Sequence, residues 1–88
     1  MNIDVYDSYA RSNGRLMHFD VFVASGTSAE VALDYGKKWL ESMRENADGL
    51  NLSRCNFCHS EVANPDVARN IKKSGFFILQ MEGCPAPY

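Results

Sequence analysis

The residues best suited to chemistry lie in one short segment, residues 55–61, which reads CNFCHSE. It holds two thiols, an imidazole and a carboxylate. Cys55 and Cys58 have the two-residue spacing of a metal-binding knuckle or a redox dithiol, and in a tight turn both sulfurs would converge on one ion. His59 offers a third ligand, and Cys84 a fourth if the last strand returns beside the segment. The spacing predicts a zinc site formed by Cys55, Cys58, His59 and Cys84.

Other interpretations of these cysteines stay open. The interpretation that we favour is that Cys55, Cys58 and Cys84 pack as small, partly buried apolar residues, as free cysteine often does. A redox dithiol fits the spacing, but its first cysteine normally begins a helix, and the next predicted helix starts only at Pro65. The pattern Cys55-x-x-Cys58-His59 also matches the motif for covalent attachment of c-type haem. We reject this interpretation because such attachment occurs in exported proteins and the sequence has no signal-peptide pattern.

A second candidate surface depends on how two predicted strands, residues 3–10 and 16–24, pair as a hairpin. A two-residue turn at Asn13-Gly14 would put the apolar residues of the first strand on the opposite face from those of the second. A three-residue loop over 12–14 would put them all on one face. Burial favours the three-residue loop, because each apolar side chain left exposed forfeits about 1.5–3 kcal/mol.

In that register, Tyr6, Ser8, His18 and Asp20 are neighbours on the other face of the hairpin. A serine, a histidine and an aspartate are the groups of a hydrolytic triad, but a triad also needs oxyanion donors, and no such motif surrounds Ser8. We therefore expect these residues to form a hydrogen-bonded polar patch on a half-exposed sheet face. The alternative is a functional surface, and in that case we expect it to bind a ligand rather than to catalyse a reaction.

The remaining elements follow from capping signals. Thr27 and Glu30 have the spacing of a capping box and predict a long helix that ends at Gly49. Asn64-Pro65 predicts a short helix that ends at Gly75. Residues 50–61 fit a loop or a short strand.

Residues 76–82 predict a central strand, because its first half is apolar on both faces. We expect an α+β fold of order ββααβ. In this fold the hairpin and the C-terminal strand form a mostly antiparallel sheet, with both helices packed on one face.

The length of the chain and its net charge limit which kinds of function the protein can have. Eighty-eight residues make one domain, expected to span residues 1–84, with residues 85–88 as a flexible tail. A net charge of −2 argues against nucleic-acid binding, which needs a basic stripe.

No apolar run reaches the ~20 residues that cross a membrane. Three cysteines, an odd number, predict free thiols or metal ligands in a reducing cytoplasm. We expect a monomer or a weak homo-oligomer.

Four blocks of the chain together resemble a known family: VYD at residues 5–7, MHFDV at 17–21, CNFCHSE at 55–61, and GFFI at 75–78 with MEGC at 81–84. The chain is similar to small bacterial proteins catalogued as domain-of-unknown-function family two thousand and twenty-four. The resemblance spans nearly the whole chain up to Cys84. It implies a single α+β domain and no particular activity.

The sequence thus favours a small, soluble, non-enzymatic cytoplasmic module of unknown function. One version of this interpretation adds a structural zinc ion that ties the C-terminal half together. One alternative is a thiol-dependent redox or small-ligand enzyme that uses the Cys-x-x-Cys-His motif. Another is a protein-interaction module without metal.

Overall fold

The computed structural model describes residues 1–12, 15–42 and 51–81, and for residues 12, 15 and 51–56 it describes the backbone. The elements follow one another as β1 (Asn2–Ser12), β2 (Arg15–Ala24), α1 (Ala29–Ser42), β3 (Asn51–Val62), α2 (Pro65–Ser74) and β4 (Phe76–Gln80). The α+β class is confirmed. The order ββααβ is wrong, because a twelve-residue strand, β3, follows α1. The expected tail at 85–88 and the predicted helix end at Gly49 lie outside the described residues.

The sequence pattern does not predict the full length of β3, because two irregularities interrupt its pairing with β1. Register shifts occur between Val5 and Tyr6 and again between Tyr9 and Ala10 of β1. Each shift resets the two-residue alternation of inward and outward side chains. Regular alternation, the sequence signal for a strand, is therefore lost.

The hairpin register differs from the one that burial predicted. β1 and β2 pair antiparallel from Ile3 opposite Ala24 to Ser12 opposite Arg15. Only two residues separate the paired positions, so the three-residue loop is wrong. The burial argument assumed one buried face, but both are buried: Ile3 on one face is 1% exposed, and Val21 on the other is 0% exposed.

Each face of the sheet is covered by its own helix, and we name the faces after them. On the α1 face, Ala32 and Leu40 pack against β2 residues that include Phe19. On the α2 face, the buried cluster consists of Ile3, Val5, Phe22, Val67 and Ile71. The expectation that both helices pack on one face is wrong. The molecule has three layers, with the sheet between the helices.

The strands lie in the order β3-β1-β2-β4, and all neighbouring pairs are antiparallel. Among the described strands, β4 pairs only with β2, so it is an edge strand and not the expected central one. Its two-sided apolar pattern arises from the two helices. Phe76 and Ile78 pack on the α1 face, and Phe77 packs on the α2 face.

The helix ends largely match their sequence signals. Asn64 caps α2, its side-chain oxygen accepting the Val67 N–H at 2.9 Å, and Gly75 ends the helix with a left-handed φ of 94°. The cap of α1 is one residue later than expected. Ser28 accepts the Val31 N–H at 3.3 Å, whereas the Thr27 hydroxyl donates back to the Ala24 carbonyl at 2.7 Å.

Candidate functional site

The α2 face continues along β1 and β2 beyond the part that α2 covers, and polar residues occupy this continuation. Past Val5 and Phe22, Asp7 lies opposite Asp20, and the next pair on the same face is Tyr9 opposite His18. Side chains two residues apart on a strand share a face, so all four belong to one patch. All four are partly buried.

Three of these residues form a compact group, which we call the Asp–His–Asp cluster: Asp7, His18 and Asp20. His18 Nε2 contacts Asp7 Oδ1, and the two side chains are 28% and 27% exposed. One ligand-type atom from each of the three residues lies within 4.8 Å of the others. The cluster therefore presents two carboxylates and an imidazole from adjacent strands to a common point.

Tyr9 holds the imidazole of His18 in place. The two rings are stacked, with centroids 4.4 Å apart and planes 9° from parallel. A stacked ring can move only within its plane without losing the contact. The position of His18 is therefore set from one side by Tyr9 and at its edge by Asp7.

Burial, and next the charge of Asp7 opposite it, raise the pKa of Asp20 above its ordinary value. Electrostatic interactions with His18 and His59 partly offset this rise in the pKa of Asp20, and a hydrogen bond with Asp7 adds to it. Two carboxylates close together cannot both ionise without a cost. The cluster therefore holds more negative charge than its surroundings readily stabilise.

A second group lies on β3, at the edge of the sheet, and we call it the thiol relay: Cys58, His59 and Glu61. His59 Nδ1 lies 3.2 Å from Cys58 Sγ, and His59 Nε2 lies 3.5 Å from Glu61 Oε1. Cys58 is exposed and makes no disulfide. The imidazole therefore has a thiol on one side and a carboxylate on the other.

Comparison with protein families identifies the chain. A family model described as Domain of unknown function (DUF2024) matches residues 1–81. The chain belongs to this family. The resemblance inferred from the sequence blocks is thus confirmed. The family description names no activity.

A solved structure supports the fold of the DUF2024 chain. It is the NMR structure of a protein from Nitrosomonas europaea, a structural genomics target, with 41% sequence identity and a TM-score of 0.81. The alignment covers 97% of this chain and 100% of the other. The comparison with curated proteins finds no match. In the described parts of the DUF2024 chain, neither helix is long and apolar enough to cross a membrane.

The DUF2024 structure divides the predicted surface of Tyr6, Ser8, His18 and Asp20 between two faces. His18 and Asp20 belong to the Asp–His–Asp cluster on the α2 face. Tyr6 and Ser8 lie on the α1 face, where Tyr6 donates its hydroxyl hydrogen to the Thr27 carbonyl at 3.1 Å. Ser8 is fully buried, and its hydroxyl donates to the Tyr6 carbonyl at 3.2 Å. Their placement beside His18 is wrong because the register differs by one residue.

Asp7 and Tyr9 are the members of the patch that the sequence reasoning missed. The Asn13-Gly14 dipeptide was the available signal, because it favours a two-residue hairpin turn. That turn implies the observed register, which brings Asp7 to Asp20 and Tyr9 to His18.

The predicted zinc ligands are only partly placed in the DUF2024 structure. Cys55 lies in β3 opposite Ser8, with its backbone described. Cys58 and His59 adjoin each other in the thiol relay, and both are exposed. Cys84 lies outside the described residues. Zinc binding by these four residues therefore stays a prediction.

Proposed function

We propose that this protein is a cation-binding module that holds one divalent metal ion at the Asp–His–Asp cluster. The observation that carries the proposal is the convergence of the three ligand-type atoms within 4.8 Å of one another. Two strands that are hydrogen-bonded along their whole length supply these ligands, so the backbone positions are fixed before a cation arrives.

The donor set indicates which cations fit. Carboxylates suit Mg²⁺, Ca²⁺ and Mn²⁺, whereas imidazole suits zinc, iron, copper and nickel. A mixed set of two carboxylates and one imidazole therefore favours Mn²⁺, Fe²⁺ or Zn²⁺. Ligand distances to such ions are about 2.0–2.2 Å, so ligand atoms around one ion lie roughly 3–4 Å apart.

Electrostatics supports the same proposal. Asp7 and Asp20 lie directly opposite each other, and like charges in that position destabilise a sheet. Burial and the charge of Asp7 raise the pKa of Asp20, so a nearby positive charge would relieve an existing cost. A divalent cation supplies that charge and displaces protons from its ligands, so binding weakens as the pH falls.

Calorimetric titration of the metal-free full chain with Mn²⁺ and with Zn²⁺ tests the proposal. We expect one site per chain. Asp20→Asn should weaken binding by about tenfold or more, because it removes one charged ligand. Asp66→Asn is the matched control, since Asp66 is an exposed aspartate of α2 that pairs with Arg69 at 3.0 Å. Equal affinity in the wild type and Asp20→Asn would refute the cation site.

The predicted zinc site of Cys55, Cys58, His59 and Cys84 is the second candidate. The contact between Cys58 and His59 supports it, because both are zinc ligands elsewhere in proteins. The titration separates the two sites. Zinc held by the cysteines would survive Asp20→Asn and be lost in Cys58→Ser.

We place this function in the cytoplasm of a bacterium. The odd number of cysteines supports a reducing compartment, and the similar solved structure comes from Nitrosomonas europaea. We expect a monomer or a weak homo-oligomer that binds neither nucleic acid nor membranes.

A further inference from the structure

We infer that Cys58 is a nucleophilic thiol that exchanges with low-molecular-weight disulfides, with His59 as its base and Glu61 as the residue that positions His59. The residues of this thiol site differ from those of the Asp–His–Asp cluster, and His59 lies near enough to the cluster to interact electrostatically with Asp20.

A β-bulge brings the thiol and the imidazole together. Neighbouring residues of a regular strand point to opposite faces, so Cys58 and His59 would not normally meet. Val5 pairs with His59 and Tyr6 pairs with Phe57, which leaves Cys58 as the extra residue of the bulge. A bulge redirects the side chain of its extra residue. As a result, Cys58 Sγ lies 3.2 Å from His59 Nδ1.

Glu61 completes the arrangement from the other side of the ring. It lies two residues after His59 and shares its face, with Oε1 placed 3.5 Å from Nε2. A nucleophile, a base in hydrogen-bond reach and a third group that orients the base form the general pattern of an activated thiol. The carboxylate stabilises the positive charge that the imidazole acquires when it takes the thiol proton.

The reaction that this site supports is thiol–disulfide exchange. The thiol hydrogen of Cys58 passes to His59 Nδ1, and the resulting thiolate attacks one sulfur of a small disulfide, RSSR. A Cys58–SR bond forms as the S–S bond of RSSR breaks. The departing RS⁻ takes the proton from His59 and leaves as RSH. Cys58 is oxidised to a mixed disulfide, and one sulfur of RSSR is reduced to the thiol RSH.

The exposure of the Cys58 sulfur favours thiol–disulfide exchange over other reactions of a thiol. Exchange requires a thiolate with open access to its sulfur, whereas acyl transfer also requires oxyanion donors. Cys58 is exposed, and the side chains of His59 and Glu61 are 52% and 45% exposed. A small disulfide can therefore approach Cys58 from solvent.

The test is the rate at which neutral hydroxyethyl disulfide modifies Cys58 in the full chain, located by mass spectrometry of the digested protein. The reference is the same cysteine in the urea-unfolded chain. We expect native Cys58 to react about tenfold faster, less than the general-base gains of about 10²–10⁴, because a thiol is partly ionised without help. His59→Asn should remove most of this acceleration.

Glu61→Gln should slow the reaction by about two- to fivefold and shift its pH–rate profile, which a merely structural role would not do. Since the probe is neutral, altered steering by charge does not explain a change. Glu41→Gln, an exposed glutamate of α1, is the control and should leave the rate unchanged. Circular dichroism checks that each variant folds. The inference is overturned if native Cys58 reacts no faster than in the unfolded chain, or if it reacts only after a chelator is added.

Discussion

At the scale of single residues, the feature that most needs explaining is the pairing of Asp7 with Asp20. Two carboxylates lie opposite each other on adjacent strands and are partly buried. Such a pair costs stability, and local costs of this kind concentrate at functional sites. The electrostatic interaction of Asp20 with His18 offsets part of this cost. We interpret the residual cost as the signature of a site built for a cation.

Replacing Asp20 with asparagine should therefore stabilise the metal-free protein near neutral pH, by about 0.2–1 kcal/mol. The folded-state pKa of Asp20 is raised from its ordinary value of 3.8. A raised pKa contributes stability below the unfolded value, and this contribution is lost as the pH rises through the folded value. The gap between variant and wild type should thus be small near pH 3 and open towards neutral pH. Urea unfolding across this range measures it.

The companion control is Asp66→Asn, where an exposed aspartate near the N-terminus of α2 should contribute favourably or not at all. A fall in the free energy of unfolding of Asp20→Asn at pH 7 would contradict the like-charge explanation. A rise in that free energy together with weaker cation binding would show that stability is traded for binding at one residue.

At the scale of elements, the turn between α2 and β4 connects the helix on one face of the sheet to a residue that packs against the helix on the other face. Gly75 ends α2 in a left-handed conformation, and the next residue, Phe76, stacks on Tyr35 of α1 with ring centroids 4.7 Å apart. A β-carbon added at Gly75 would lie 2.5 Å from the Tyr35 hydroxyl oxygen. Only glycine fits both the backbone and this contact.

Gly75→Ala should destabilise the protein by about 2–4 kcal/mol, since it adds a steric clash to the ~1–2 kcal/mol cost of a left-handed alanine. Chemical unfolding measures the loss. Gly26→Ala is the matched control, because Gly26 has a φ of 93° but nothing within 4 Å of the added carbon. It should cost only the backbone term. Equal losses in both variants would show that the Tyr35 contact is unimportant, whereas Tyr35→Phe should recover part of the Gly75→Ala loss.

At the scale of the whole molecule, local signals predicted what depends on local structure. Asn64, Pro65 and Gly75 fixed the bounds of α2 because capping is decided within one helical turn. The hairpin register depended instead on which faces are buried. Because a helix covers each face, the apolar rows of β1 and β2 can lie on opposite sides, and the one-face assumption led to the wrong register.

The wrong hairpin register also explains why only part of the candidate site could be predicted. The sequence predicts that His18 and Asp20 share a face, since they are two residues apart on one strand. Their partners on β1 depended on the register, so Tyr6 and Ser8 were expected where Asp7 and Tyr9 lie. The contact between Cys58 and His59 depends on a bulge, which alternation in a single sequence does not predict.

The central claim, that the Asp–His–Asp cluster binds a divalent cation, is tested most directly by adding Mn²⁺ to the ¹⁵N-labelled protein and recording which amide NMR signals broaden. Paramagnetic Mn²⁺ broadens the signals of nearby nuclei. The proposal predicts that substoichiometric Mn²⁺ broadens the amides around Asp7, His18 and Asp20 first, and that Asp20→Asn removes the effect. Broadening that begins around Cys58 and His59, or that is spread over exposed carboxylates such as Asp66 and Glu41, would contradict the claim.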